Sequence, residues 1–98
     1  MTRATARRDG NRYTLLIRNH ATGSPEVCAA VSGIAFALAG YLENAREALT
    51  ELDYTLSEAN ADFRFAGGKE AETAWSMAVI GLKQIEASHP EYLCEEIL

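Results

Sequence analysis

The apolar pattern of this chain changes period at Ser24-Pro25-Glu26, and that change constrains the fold more than any other feature. Before it, residues 12–18, "RYTLLIR", set Tyr13, Leu15 and Ile17 on one side with period two, the mark of a half-buried strand. After it, Val27, Val31, Ile34, Leu38, Leu42 and Ala45 recur at helical spacing, which predicts a helix running to about residue 47. The three residues at the change are a helix start. The Ser24 hydroxyl can accept from an unpaired backbone N–H. Pro25 suits the first helical position, where a missing N–H costs nothing. Glu26 sets negative charge at the positive end of the helix dipole.

The same reading extends to the rest of the chain. Residues 2–7, "TRATAR", alternate and suit an edge strand, and Asp9-Gly10 is a turn signal, so the first two strands form a hairpin. Residues 50–56 alternate again, with Leu52, Tyr54 and Leu56 on one face, and "SEAN" turns the chain. Residues 61–66 point Phe63 and Phe65 inward, and Gly67-Gly68 ends that strand. A second helix is predicted from Lys69 to about Ser88, with Ala71, Ala74, Trp75, Ala78, Leu82 and Ile85 as its apolar stripe and Pro90 as its stop. The tail "EYLCEEIL" fits no pattern and reads as frayed. The order is β-β-α-β-β-α. It predicts an α+β two-layer sandwich: a mostly antiparallel four-stranded sheet with both helices on one face, in one domain over residues 1–98.

Composition narrows the function. The net charge of −5 argues against a nucleic-acid binder, which needs cations for phosphate. Arg3, Arg7, Arg8 and Arg12 do cluster, and read as a solvated hairpin face. The start "MTRATARRDG" has no apolar stretch, so no secretory signal is expected. The uncharged run from Val27 to Leu42 is shorter than a membrane span, so no membrane partner is expected. Two cysteines without framework spacing suggest reduced thiols in a cytoplasm. A core this small would gain from a partner subunit.

The residues that carry chemistry gather around the period change. Cys28 falls in the first turn of the helix, where the helix dipole favours the thiolate and backbone N–H groups can bind an oxyanion. His20 stands eight positions earlier on the approach loop and could exchange a proton with that thiol. Ser32, one turn after Cys28, shares its helix face. Cys28, Ser32, Ala35 and Ala39 form a stripe of small residues that would let another surface approach closely. The residues alone leave other readings open. A buried thiol beside a solvated histidine is common. His20, Cys28, His89 and Cys94 have the identities of a zinc site but not its short ligand spacings, so no metal is expected; His89 has a simpler role as a cation near a helix C-terminus. Glu43, Glu47 and Glu51 with Arg46 read as exposed, Trp75 and Met77 as core or interface, and Gly67-Gly68-Lys69 as a turn.

"HATGSPEVCAAVSGIAFALAGYL" followed by "GLKQIEASHPEYL" resembles the ribosomal-processing cysteine protease family, Prp. That family has a histidine on a loop after the second strand, then an apolar residue and Cys-Ala-Ala-Val-Ser leading a long helix. It closes near a Pro-acidic-Tyr step, here Pro90-Glu91-Tyr92. The resemblance covers nearly the whole chain, and Val27–Ser32 is its most specific part. It implies the strand order above and a small homodimeric cysteine endopeptidase of bacteria or phages, working without a cofactor. Such enzymes remove the N-terminal extension of a large-subunit ribosomal protein, and phage relatives process capsid or scaffold proteins. It carries over Cys28 as nucleophile, His20 as general base and acid, and Ser32 as support. The chain is a divergent member. Asn19 stands where the family usually has Gly, and seven residues separate His20 from Cys28 where the family loop is longer. Pro25 replaces an aspartate, so Glu26 would have to orient the histidine from a different helix face. The alternative is a non-catalytic relative that keeps fold and dimer as a binding or assembly protein.

Overall fold

The computed structural model describes residues 1–20 and 24–98. Two strands, β1 (Thr2–Asp9) and β2 (Arg12–Arg18), lead into helix α1 (Pro25–Asn44). A 3₁₀ turn (Arg46–Ala48) follows, then β3 (Leu49–Leu56), β4 (Ala61–Gly67), helix α2 (Lys69–Ser88) and β5 (Leu93–Ile97). The sheet order is β3-β4-β2-β1-β5. Every neighbouring pair is antiparallel except β1 with β5, which is parallel.

The α+β class and the helix-covered sheet agree with the sequence reading, and two expectations are corrected. The sheet has five strands, not four, and β1 is an interior strand, not an edge. Both corrections come from the tail, which is β5 rather than a frayed end. Leu93 and Glu95 are buried on the helix side of that strand. A carboxylate at an inward position hides the alternation from any reading that counts apolar residues.

Helix α1 begins as its sequence dictates. Ser24 is the N-cap, its hydroxyl accepts from the Val27 N–H at 3.5 Å, and Pro25 opens the first turn. It ends at Asn44 rather than near 47, with Ala45 as its C-cap. By length and composition α1 could cross a membrane; here Val27, Val31, Ala35, Leu38, Ala39 and Leu42 are buried in the core. Burial of Ala35 and Ala39 corrects the expected small-residue stripe. Those two alanines belong to the core, so the stripe is not an open face. The helices meet closely at Gly81, where an added Cβ would lie 2.9 Å from Ile34 Cδ1.

The core lies between sheet and helices. Phe63, Phe65, Leu15, Ile17, Leu42, Leu82 and Leu93 are fully buried, each worth about 1.5–3 kcal/mol in apolar transfer. Tyr13 stacks on Phe65 at 5.8 Å and lies tilted against Trp75 at 5.6 Å. Trp75 is a core residue whose indole N–H donates to the Thr14 carbonyl at 3.1 Å, so its one polar atom is satisfied. Met77 is 70% exposed.

Candidate active site

Strand β2 ends at Arg18, and the chain then turns sharply. Asn19 adopts φ 63°, the left-handed region that few residues other than glycine enter. That corner swings the chain toward α1 and leaves His20 only 7% exposed. The loop expected over residues 19–24 has its middle, 21–23, outside the described residues.

Four hydrogen bonds fix the corner. The Asn19 N–H donates to Asn60 Oδ1 at 3.1 Å, and the Asn19 carbonyl accepts from Thr2 Oγ1 at 3.4 Å. The His20 N–H donates to the Ala59 carbonyl at 2.9 Å. His20 Nδ1 lies 3.5 Å from Ser32 Oγ on α1. The imidazole is thereby tied to the helix face that carries Cys28, one turn before Ser32. Cys28 is half-buried and reduced.

The helix start offers fewer free donors than the sequence suggests. The Val27 N–H is capped by Ser24 Oγ, and the Cys28 N–H donates to the Ser24 carbonyl at 2.9 Å. Glu26 is exposed and lines a cleft with Ala30, Gln84, Ser88 and His89, on the side of α1 that faces α2. Among the described residues no bond joins Glu26 to His20.

The other candidates separate. His89 is the C-cap of α2, its N–H donating to the Ile85 carbonyl at 2.8 Å. Cys94 sits half-buried on β5, at the opposite sheet edge from β3. Among the described residues no three His, Cys, Asp or Glu side chains gather as a metal site. Thr2, Ala59 and Asn60, which brace the His20 corner, escaped the sequence reading. They lie 17 to 41 residues from the corner, and no local pattern links them to it.

The junction thus sets a histidine beside the helix that carries a free cysteine. The sequence matches the family described as cysteine protease Prp over residues 1–94, and the chain belongs to that family. Solved structures share the fold. SMU.848 from Streptococcus mutans aligns with TM-score 0.76 at 20% identity, covering all of this chain and 94% of that one. The essential ribosomal processing protease Prp from S. aureus, in complex with a covalently linked product peptide, aligns with TM-score 0.77 at 16% identity over all of both chains. The same S. aureus protease with a substrate peptide gives TM-score 0.67 at 14% identity, again over all of both chains. No curated protein matches this sequence.

Proposed function

We propose that this chain is a cysteine endopeptidase that uses Cys28 as nucleophile and His20 as general base and acid. The observation that carries this reading is the 3.5 Å approach of His20 Nδ1 to Ser32 Oγ, which ties the imidazole to the helix face of Cys28. Family membership supports it independently.

The contact also allows the tautomer that the reaction requires. A neutral imidazole carries one N–H. When Nδ1–H donates to Ser32 Oγ, Nε2 keeps its lone pair and takes the Cys28 thiol proton. The thiolate attacks the scissile carbonyl and forms a C–S bond, and the carbonyl oxygen becomes an oxyanion. Collapse breaks the C–N bond, and Nε2–H protonates the departing amine. Water, deprotonated by Nε2, then hydrolyses the thioester and restores the thiol.

The substrate we propose is the N-terminal extension of a large-subunit ribosomal protein, by analogy with the S. aureus ribosomal processing protease. Purified protein incubated with peptides spanning such extensions should cleave them, and Cys28→Ala should abolish cleavage. Iodoacetamide should alkylate Cys28 much faster than Cys94. Equal slow alkylation with no cleavage favours the binding-protein alternative.

We also propose that the chain works as a homodimer through the outer face of its helices. Ile34, Ala37, Leu38, Tyr41, Ala74 and Met77 line a shallow apolar cleft of about 270 Å³ there. Phe36 is 65% exposed and Ile80 58% exposed. No charge falls between Val27 and Leu42, so two copies with net charge −5 could meet there without opposing charges at the contact. Sedimentation should give a dimer, and Phe36→Glu should give a monomer.

A further inference from the structure

We infer that Asn60 is a positioning residue for His20, acting through the Asn19 peptide rather than on substrate; this rests on the protease reading above. The β3–β4 turn lies far from the corner in sequence, yet it holds the corner by two groups. Asn60 Oδ1 accepts the Asn19 N–H at 3.1 Å, and the Ala59 carbonyl accepts the His20 N–H at 2.9 Å. Thr2 Oγ1 grips the other side of the same residue at its carbonyl. A left-handed non-glycine residue persists only where its surroundings over-determine it, and such strain concentrates at sites that must be pre-organised. Here the strained residue immediately precedes the proposed base. Its grip spans three segments: the start of β1, the β3–β4 turn and, through Ser32, α1.

The Asn60 side chain has no other bond among the described residues. The turn is closed without it. The Ser57 N–H and hydroxyl donate to the Asn60 carbonyl at 2.9 and 3.1 Å, and the Asn60 N–H donates to Ser57 Oγ at 3.2 Å. Removing Oδ1 therefore leaves the turn intact and releases one side of the Asn19 peptide. The imidazole then loses one of the backbone supports that aim it, and small misplacements of a catalytic group are costly in rate.

Asn60→Leu keeps the size of the side chain and removes the acceptor, whereas Asn60→Asp keeps an acceptor. With a peptide that the wild type cleaves, Asn60→Leu should lower kcat about tenfold with KM changed less than about twofold, and Asn60→Asp should recover most of the loss. In the same samples without substrate, two-bond ¹H–¹⁵N NMR should show His20 in one Nδ1–H tautomer in the wild type and Asn60→Asp, and averaged signals in Asn60→Leu. An unchanged kcat in Asn60→Leu overturns the assignment. So does Asp behaving like Leu, or ring signals that are the same in all three proteins. A wild type that cleaves no peptide counts against the protease reading alone, because the ring signals still decide whether Asn60 holds His20.

Discussion

His20 and Glu95 are both polar and both nearly buried, at 7% and 5% exposed, but the fold treats them in opposite ways. At His20 the fold supplies partners for the ring nitrogen Nδ1, for the His20 N–H and for the N–H and carbonyl of Asn19. At Glu95 it supplies none among the described residues: both carboxylate oxygens are buried without a hydrogen-bond partner there. The bonds near Glu95 all go to its backbone. Its N–H donates to Glu86 Oε2 at 3.1 Å, and its carbonyl accepts from Lys83 Nζ at 3.0 Å. Burial with partners orders a group, whereas burial without them shifts its protonation. The Glu95 carboxyl is pushed up to about 7, chiefly by desolvation and further by the Glu86 charge, against the pull of Lys83. The contrast teaches that the His20 corner is built for orientation, and the Glu95 pocket only for shape.

The largest effect is expected on the ordered side. His20→Ala should lower the cleavage rate by about 10²–10⁴, the range of a general acid–base. Its melting temperature should move little, because the corner's backbone bonds survive. A large loss of stability with retained activity would erase the distinction between the two sites.

The next largest effect belongs to Glu95. A carboxyl whose folded-state pKa lies near 7, above its usual 4.5, holds its proton longer folded than unfolded. Folding is therefore favoured at low pH, loses stability as pH rises from about 4.5 to 7, and levels off above. The charged groups of α2 that bear on Glu95 are Lys83 and Glu86. The inward residues of β1 beside it, Thr2, Ala4 and Ala6, carry no charge. Glu95→Gln should remove the slope. Melting curves of wild type and variant should coincide below about pH 4 and separate at pH 8. The variant should be more stable there by about 2 kcal/mol, a pKa shift discounted for solvent screening. Parallel curves at both pH values would show that Glu95 finds a partner.

The same contrast explains what could be read in advance. Both helices, the four alternating strands and the Ser24-Pro25 start were legible because each is a local pattern. Cys28 and Ser32 were legible as neighbours because one helical turn separates them. β5 was not, because Glu95 occupies the inward position where an apolar residue would have announced a strand. Missing β5 also made β1 look like an edge. The braces of the site were illegible for a different reason. Thr2 and Asn60 reach Asn19 across 17 and 41 residues, and only the folded sheet brings them together.

A smaller effect should come from Ser32→Ala. It removes one hydrogen bond at 3.5 Å, worth about 1 kcal/mol or less to stability. The rate should fall about tenfold, because Nδ1 loses the partner that holds the ring against α1. Single-turnover cleavage would check it: a slower chemical step with KM unchanged supports the contact, and an unchanged rate rejects it.

The smallest effect is expected at the corner itself. Asn19 sits at φ 63°, where a Cβ is strained. Glycine relieves that strain but gains backbone freedom in the unfolded chain, at about 0.5–1 kcal/mol. The two terms oppose each other, and asparagine already tolerates this region better than most residues. Asn19→Gly should therefore change stability by less than about 0.5 kcal/mol. It should leave cleavage intact, since the bonds from Asn60 and Thr2 use its backbone N–H and carbonyl. Asn19→Ala keeps a Cβ and loses the polar side chain that makes the left-handed region accessible, so it should cost about 1–2 kcal/mol. Urea melts of the three proteins separate these outcomes. Equal stability of the Ala and Gly variants would mean that the corner relaxes out of the left-handed region, and the backbone bonds that aim His20 would then not require the strain they appear with.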